Sequence, residues 1–441
     1  MRDPQVPSAL DCMHCGFCQQ VCPTYLATGD ENESPRGRLF LMRAVEEGRL
    51  TLDSAVAAHL DHCLDCRACE TACPSGVEYG RVLEPFRVRQ RAERPQDAPP
   101  TSRGLAGRLQ REVVPDRARM KRWLAPARAG QRLGLGKLAS ALRLPKLLPQ
   151  GLQRMVEQLP PPPPRTQPIP EHLPSKAATA GPRVGLFLGC AGETFTPQVN
   201  RAVAAVLQRL GCSIETPAGQ GCCGALAYHE GRAQDATQAW HALAQFFGAE
   251  DAPEHLITTA AGCGSMLHDL PRVADELNLQ EAAVRHMGER AVDFHAFVAG
   301  LEWPDELQSL PARVAYDPAC HLVHAQRVRD EPLALLERIP GLERVDYAEA
   351  ELCCGAAGSY VLTQPELSDQ IGLRKAQHLL DSGAEAILTA NVGCALQIRR
   401  CLQQLGRPLP IFHPAEFLAA ALGVGRVAIG SRSFGSNDGQ A

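Results

Sequence analysis

The sequence predicts an α+β protein of several domains: a helical, cysteine-rich N-terminal domain, a basic, proline-rich helical linker and two tandem α/β units. Three observations support this prediction. Eight of the 18 cysteines lie before residue 96, none lies in residues 96–180, and the other ten follow. Prolines accumulate in the cysteine-free stretch, and the cysteine pattern after it occurs twice. The expected domains are therefore 1–95, 96–180, 181–305 and 306–425, followed by a flexible tail over 426–441.

The composition is ordinary for a soluble protein. Apolar residues make up 45% and charged residues 21% of the chain, and the formal net charge of −4 favours neither nucleic acid nor an acidic substrate as a partner. The N-terminus lacks the pattern of a signal peptide, and no run approaches 18 consecutive apolar residues, so we expect a cytoplasmic protein without a transmembrane helix. Reduced, clustered cysteines in such a protein are usually metal ligands.

Two runs in the N-terminal domain share the pattern C-x2-C-x2-C-x3-C-P: CMHCGFCQQVCP at 12–23 and CLDCRACETACP at 63–74. In bacterial ferredoxins this run holds [4Fe–4S] clusters, and its fourth cysteine ligates the other cluster. Zinc sites favour two C-x2-C pairs instead. The sequence therefore predicts a helical ferredoxin domain with two [4Fe–4S] clusters. The expected ligands are Cys12, Cys15, Cys18 and Cys73 for cluster 1, and Cys22, Cys63, Cys66 and Cys69 for cluster 2.

The linker combines positive charge with proline. Residues 101–150 hold 12 lysines and arginines against two acidic residues, Glu112 and Asp116, and five consecutive prolines occur within LPPPPPRTQPIP at 159–170. Consecutive prolines form neither helix nor central strand and indicate a stiff polyproline II spacer. The basic stretch is expected either to dock on anionic lipid or an acidic partner surface, or to pack as an amphipathic helix against the other domains.

The C-terminal region is an internal repeat. Four cysteines recur in the same order at an offset of 130 or 131 residues: Cys190, Cys222, Cys223 and Cys263, then Cys320, Cys353, Cys354 and Cys394. Apolar runs such as VGLFLGC and VAYDPAC indicate strands ending near the cysteines, and VNRAVAAVLQRLG and SDQIGLRKAQHLLDSG indicate helices. Alternating strands and helices predict parallel sheets, which bind ligands at the carboxyl ends of their strands. Cys212 and Cys401 have no counterpart and are expected to be ordinary buried cysteines.

The adjacent cysteines in GCCG at 221–224 and in CCG at 353–355 cannot form disulfides without strain. They resemble the cysteine-rich CCG domain of heterodisulfide-reductase-like proteins, whose set C…CCG…C-x-x-C can bind a non-cubane iron–sulfur cluster. Here Met266 and Gln397 stand where the last cysteine of each set would be. Two interpretations stay open: an additional iron–sulfur or thiol redox centre in the CCG repeats, or a structural remnant with reduced thiols.

With these motifs in order, the chain resembles the family of glycolate oxidase iron–sulfur subunits over residues 10–420. The resemblance rests on both ferredoxin runs, on SPRGR between them, and on GCCGALAYH, AYDPACHLVHAQRV, ELCCGAAGSYVLTQPEL and LTANVGC. It implies the electron-transfer subunit of a glycolate dehydrogenase complex. Electrons would come from two flavin (FAD-type) subunits that oxidise glycolate to glyoxylate and would leave for a quinone-type acceptor. The complex would be peripheral on the cytoplasmic face of the inner membrane.

The resemblance assigns the flavin and substrate oxidation to the partner subunits, so this chain is not expected to bind the flavin or to oxidise the substrate alone. The alternatives are a lactate-utilisation or anaerobic glycerol-3-phosphate dehydrogenase electron-transfer subunit, a heterodisulfide-reductase-like thiol redox protein, and a non-redox scaffold. The incomplete C-x-x-C motifs count against the thiol redox protein, and two complete cluster motifs count against the scaffold. Near Cys320, the side chains of Asp317, His321 and His324 either tune a site or serve as helix caps and surface groups.

Overall fold

The computed structural model of the protein describes residues 11–93, 112–133, 159–163, 167–176 and 181–436. Most of the basic stretch 101–150 lies outside these ranges. The N-terminal domain is helical, as predicted. Its helices are α1 (Pro23–Thr28), α2 (Pro35–Glu46), α3 (Ser54–Asp61), α4 (Ala68–Thr71) and α5 (Tyr79–Glu93). Ser34 caps α2 by accepting a hydrogen bond from the amide of Gly37, and Pro35 occupies the first helical position.

The described part of the linker contributes one helix and one strand. Helix α6 (Arg117–Arg132) begins after Asp116, whose carboxylate accepts a hydrogen bond from the amide of Arg119, and it packs on the first α/β unit. Strand β1 (His172–Leu173) pairs antiparallel with β3 (Ser213–Glu215). The first sheet therefore recruits an edge strand from inside the predicted linker rather than beginning at residue 181, because an edge strand offers unpaired backbone groups.

The first α/β unit has the order of elements that the sequence predicts. Its further strands are β2 (Arg183–Leu186), β4 (His255–Thr258) and β5 (Ala291–Asp293), and its helices are α7 (Cys190–Phe195), α8 (Pro197–Arg209), α9 (Ala225–His229), α10 (Ala233–Phe247), α11 (Ala261–Glu276), α12 (Ala282–Glu289) and α13 (Phe294–Ala299). The sheet order is β1-β3-β2-β4-β5, and all pairs except β1–β3 are parallel.

The second unit repeats this plan with four parallel strands in the order β7-β6-β8-β9. Its elements are β6 (Ala312–Asp317), a π-helical turn (His321–Ala325), α14 (Asp330–Glu337), β7 (Leu342–Arg344), α15 (Tyr360–Thr363), α16 (Pro365–Asp381), β8 (Ala386–Thr389), α17 (Val392–Gln404), β9 (Ile411–Phe412) and α18 (Pro414–Ala421). The expected flexible tail instead begins with a hairpin, β10 (Arg426–Ile429) and β11 (Arg432–Gly435), because Val427 and Ile429 are buried in the core.

The two units share one continuous apolar core. Leu186 and Ile257 of the first sheet belong to the same buried cluster as Val314 and Leu388 of the second, and α8 packs against α18. The repeat cysteines follow the strands closely but lie in or just before the next helix: Cys190, for example, is the first residue of α7. The carboxyl edge of each sheet therefore carries its cysteines, as the sequence predicts.

Candidate metal centres

The four cysteines predicted for cluster 1 face a common cavity. The cysteines lining this cavity are Cys12, Cys15, Cys18, Cys69 and Cys73, all of them free thiols. Gly16, with a φ of 86°, turns the loop through the left-handed region. Arg36 secures the loop by donating a hydrogen bond to the backbone carbonyl of His14 over 3.0 Å. Several thiols around one small cavity fit a group that is bound by these sulfurs.

The second predicted set is more deeply buried. Burial raises the pKa of the Cys69 thiol, and the neighbouring Cys63, Glu70, Cys22 and Cys18 raise it further. The sulfur of Cys69 thus lies near members of both predicted sets, and Cys69 also lines the cavity of the first set. The loop between Cys63 and Cys69 turns back twice, since Asp65 and Arg67 have φ values of 54° and 58°. The amide of Asp65 donates a hydrogen bond to the Cys63 sulfur over 3.4 Å. A loop that wraps its sulfurs and points amides at them suits an anionic cluster.

Cys66 differs from the other members of its set. Its thiol packs against Cys353 and near Cys320, and the contact with Cys353 together with burial raises its pKa. The same apolar cluster includes Leu64 and Tyr360. The structure thus brings the second ferredoxin run against the cysteines of the second α/β unit, a contact that the sequence did not predict.

Each α/β unit brings its four predicted cysteines together in the same way. The first cysteine of the set contacts the leading member of the adjacent pair, and the last cysteine of the set contacts the trailing member. The Sγ–Sγ distances are 3.8 Å for Cys190–Cys222, 3.9 Å for Cys320–Cys353 and 2.9 Å for Cys354–Cys394. In the first unit, Cys223 and Cys263 are also in contact. Donation by Cys190 lowers the pKa of Cys222, so the leading sulfur of this pair ionises most readily. Such a thiolate is a metal ligand or a nucleophile.

The glycine after the first cysteine pair is required by its surroundings. Gly224 has a φ of 76°, and a Cβ atom there would lie 2.6 Å from the indole nitrogen of Trp240. That nitrogen donates a hydrogen bond to the carbonyl of Cys223 over 3.0 Å, so the indole is held in place. The second glycine of GCCG therefore allows the backbone conformation that follows the cysteine pair, which a residue with a Cβ atom could not adopt without a clash.

The residues that replace the last cysteine of each CCG set make structural contacts. Met266 is buried in the apolar core of the first unit, and the Gln397 amide donates to the carbonyl of Ser368 over 3.0 Å. Cys212 and Cys401 are fully buried, as predicted, and burial raises the pKa of each thiol to about 11. Neither is assigned to a site.

A buried ionic network joins the N-terminal domain to the first unit. The guanidinium of Arg67 lies 2.6 Å from Glu84 and 2.5 Å from Asp269. His229 lies 3.1 Å from Asp65 and 3.3 Å from Glu84, and against the effect of burial these carboxylates raise its pKa to about 9. Sequence analysis missed this network. The available signal was the pair of charged residues, Asp65 and Arg67, beside ligand-type cysteines.

The residues near Cys320 whose role was left open make structural contacts. His321 Nε2 lies 2.7 Å from the carbonyl oxygen of Asp65, and His324 Nδ1 lies 2.8 Å from the hydroxyl of Thr71. Both histidines therefore attach the second unit to the N-terminal domain. Asp317 instead forms an internal ion pair of 2.6 Å with Lys375.

Known protein families match both cysteine-rich parts of the chain. A cysteine-rich domain family matches residues 184–268 and 314–399, and a 4Fe-4S dicluster domain family matches residues 8–77. The probable glycolate oxidase iron-sulfur subunit of Bacillus subtilis is 34% identical over 430 residues, 94% of each chain. The glycolate oxidase iron-sulfur subunit of Escherichia coli is 35% identical over 405 residues, 87% of this chain and 88% of that protein. The chain belongs to the glycolate oxidase iron–sulfur subunit family.

Membership of the glycolate oxidase iron–sulfur subunit family confirms both the resemblance and the fold class that the sequence indicated. The chain is thus an iron–sulfur electron-transfer protein. The dicluster match contains all eight N-terminal cysteines, and the two cysteine-rich matches contain all eight repeat cysteines. A shorter relative, lactate utilization protein A of Geobacillus kaustophilus, is 31% identical over 239 residues, 54% of this chain and 99% of that protein. Within the described residues, no helix combines the length and apolarity needed to cross a membrane.

Proposed function

We propose that this chain is the electron-transfer subunit of a glycolate dehydrogenase complex. It takes electrons from two flavin (FAD-type) subunits that oxidise glycolate to glyoxylate and delivers them to a quinone-type acceptor, with the complex peripheral on the cytoplasmic face of the inner membrane. The observation that carries the proposal is the similarity to glycolate oxidase iron-sulfur subunits over 94% of the chain. The lactate utilization relative spans only 54% of it, which makes lactate oxidation the second candidate.

The ferredoxin cysteines are assigned to two [4Fe–4S] clusters. Cluster 1 takes Cys12, Cys15, Cys18 and Cys73, and cluster 2 takes Cys22, Cys63, Cys66 and Cys69. When bound, such clusters supply one-electron transfer. The chain holds and tunes them: the amide of Val77 donates to the Cys73 sulfur over 3.4 Å, and the fully buried Arg38 adds positive charge near Cys63 and Cys22.

The different exposure of the two runs supports a direction for the transfer. Cys15 is exposed, and the neighbouring Met13 and Phe17 are exposed by 77% and 59%. A redox partner can therefore approach the first run. Cys66 of the second run instead lies against Cys353 inside the protein. We assign docking of the flavin subunits to the first run, and exchange with an additional redox centre in the CCG repeats to the second.

Iron and acid-labile sulfide per chain, measured on anaerobically purified protein, test the cluster assignment. Two clusters require about eight irons, and the reduced protein should give cubane electron-paramagnetic-resonance signals. More iron, with a signal unlike a cubane, would support the additional centre. Cys22→Ser should remove one cubane signal, whereas the control Cys212→Ser, at a buried cysteine outside every set, should keep all the iron. Iron for fewer than two clusters would contradict the assignment.

The substrate is tested by adding the flavin subunits. Glycolate should then reduce the clusters of the complex, so that the resonance signals of the reduced clusters appear. Lactate should not produce these signals. Reduction by lactate alone would instead favour the second candidate. If the clusters are present but neither glycolate nor lactate reduces them, both functions are contradicted.

A further inference from the structure

A crevice with a volume of about 420 Å³ separates helix α6 from the first α/β unit. This volume is within the range of small-molecule sites. The crevice lies at the carboxyl ends of β2 and β3, where its lining includes Leu188 just after β2 and Thr216 just after β3. Open α/β sheets bind their ligands at this edge. No role of the crevice follows from the electron-transfer function.

Positive charge dominates the lining. The cationic lining residues are Arg117, Lys121, Arg128 and Arg132 of α6, and Arg201 of α8. Those of α6 are four or seven residues apart, so they share one face of the helix. The two acidic lining residues are already engaged: Glu171 accepts a hydrogen bond from the amide of Ala218 over 3.1 Å, and Glu193 lies 3.5 Å from Arg201. In the part of the chain that the structure describes, the four α6 cations form no ion pair.

Two buried polar groups in the lining lack a partner among the described residues. Thr194 is only 6% exposed, and its hydroxyl makes no hydrogen bond. The Nη2 atom of Arg128 is also buried without a partner, although Nη1 donates to the carbonyl of Pro160 over 3.0 Å. Buried polar groups in proteins are nearly always satisfied. The guanidinium nitrogen can only donate and the hydroxyl can also donate, so an acceptor would satisfy both groups.

We propose that this crevice binds a phosphate ester. A phosphate monoester carries a charge of about −1.5 to −2 and three acceptor oxygens, which matches the unpaired cations, the free nitrogen of Arg128 and the hydroxyl of Thr194. Leu124, Ile169 and Leu188 form an apolar part of the lining, suited to the organic body of the ester. Two sources share this chemistry: a soluble phosphomonoester and the head group of an acidic phospholipid.

Two probes distinguish the sources. Phenyl phosphate is titrated calorimetrically into the anaerobically purified holoprotein, and co-sedimentation is measured with phosphatidylcholine vesicles that contain or lack phosphatidic acid. Arg128→Gln, Lys121→Ala and Thr194→Val should each weaken binding of the operative probe roughly tenfold, since each removes one charged or hydroxyl donor. The matched control is Arg122→Gln, at an exposed arginine of α6 that does not line the crevice, and it should change binding less than twofold.

Each result decides the proposal. Binding of phenyl phosphate that the crevice variants weaken identifies a soluble ester. Vesicle binding that requires phosphatidic acid and is lost in the same variants, without binding of phenyl phosphate, identifies a lipid head group. Absence of binding to both probes overturns the proposal, as does an equal loss in Arg122→Gln, which would indicate general surface charge. Lys121 is exposed, so its variant remains informative if a substitution at Arg128 or Thr194 prevents folding.

Discussion

The imidazole of His321 hydrogen-bonds through Nε2 to the backbone carbonyl oxygen of Asp65 over 2.7 Å. Its other nitrogen, Nδ1, lies 3.0 Å from the hydroxyl of Ser265 on α11. Burial, and then the charges of His229 and Arg67, lower the pKa of His321. The neutral ring therefore donates to the carbonyl and accepts from the hydroxyl. One side chain of the second unit thus contacts both the N-terminal domain and the first unit.

Replacing His321 by alanine should weaken this three-way junction. The carbonyl of Asp65 loses its donor in a buried place and the hydroxyl of Ser265 keeps only its 3.4 Å bond to the carbonyl of Gly262, which should lower the free energy of unfolding by about 1–3 kcal/mol. Urea unfolding of the holoprotein measures this change. His378→Ala is the control, because His378 pairs with Glu349 in a more exposed place and should cost less than about 1 kcal/mol. Equal effects of the two substitutions would contradict the role of His321.

Arg67→Met should be among the most destabilising single substitutions in the chain. It removes the more buried of the two guanidinium groups that contact both Glu84 and Asp269, and leaves only the more exposed Arg272 shared between these carboxylates. Breaking such a buried ionic group costs about 3–5 kcal/mol. Arg43→Ala, which removes an exposed ion pair with Glu47, should cost less than about 1 kcal/mol. The comparison uses urea unfolding midpoints, and similar midpoints for the two variants would refute the prediction.

Lys375→Met should disturb the cysteine pair of the second unit and not that of the first. Lys375 donates to the carbonyls of Ala350 and Leu352 over 2.8 and 2.6 Å, directly before Cys353, and it pairs with Asp317. Its loss leaves Asp317 buried and unpaired, at a cost of about 3–5 kcal/mol. Thiol labelling of the apoprotein, followed by peptide mass spectrometry, should show faster modification of Cys353.

The first unit shows which residues can replace the ion pair of Lys375 and Asp317. Phe187 stands 130 residues before Asp317, and Ala244 stands 131 residues before Lys375, so the repeat has apolar residues where the second unit has an ion pair. The double variant Asp317→Phe with Lys375→Ala should therefore be more stable than Lys375→Met, since it leaves no lone buried charge. Lower stability of the double variant would show that packing, and not charge, dominates at this place.

The stability of the protein should depend on pH through Glu416 at the start of α18. Burial raises the pKa of this carboxyl from 4.5 to about 7. Between these values the unfolded chain loses the proton while the folded chain retains it, so stability falls as pH rises and levels off above about pH 7. Raising the pKa by about 2.5 in the folded state corresponds to a loss of about 3 kcal/mol in the free energy of unfolding between low and high pH.

Glu416→Gln should therefore have a higher melting temperature than the wild type at pH 8 and a much smaller advantage at pH 5. Glutamine keeps an oxygen that can accept from the amide of His413 but cannot ionise. Differential scanning calorimetry at both pH values measures the effect. Glu343→Gln, at a side chain that is 62% exposed, is the control and should change the melting temperature little. An advantage of Glu416→Gln that is equal at pH 5 and pH 8 would argue against a buried titrating carboxyl.

Removing one cysteine pair should separate the additional redox centre from the ferredoxin clusters. Cys353→Ala with Cys354→Ala should lower iron per chain while the cubane signals survive, because neither residue belongs to the ferredoxin runs. Cys222→Ala with Cys223→Ala makes the same test in the first unit. Iron analysis and resonance spectra are compared with Cys401→Ala, a buried cysteine outside the sets. Unchanged iron and unchanged activity in both double variants would show that the pairs hold no metal.

The sequence by itself determined the features that depend on local spacing. Each ferredoxin triplet lies on one short loop, so its spacing predicts that Cys12, Cys15 and Cys18 lie close together, and all three line one cavity. The presence of Cys69 in the same lining does not follow from that spacing. The repeat offset and the alternation of strand and helix predicted two α/β units with cysteines at one sheet edge, because parallel strands align their carboxyl ends. The hairpin after Arg426 was missed, since a short alternating strand close to a Gly-rich end carries a weak signal.

The tertiary structure alone decided which parts of the two units the second ferredoxin run contacts. Arg67 and Asp269 are 202 residues apart, and His321 and Asp65 are 256 apart, yet each pair forms a direct contact. The buried stack of His295 on His413, with ring centroids 5.3 Å apart, likewise joins equivalent strand-to-helix positions of the two units. No local periodicity encodes such pairs. They arise when domain surfaces lose water together, and a buried charge or hydrogen-bonding group is then tolerated only where the opposing surface supplies its partner.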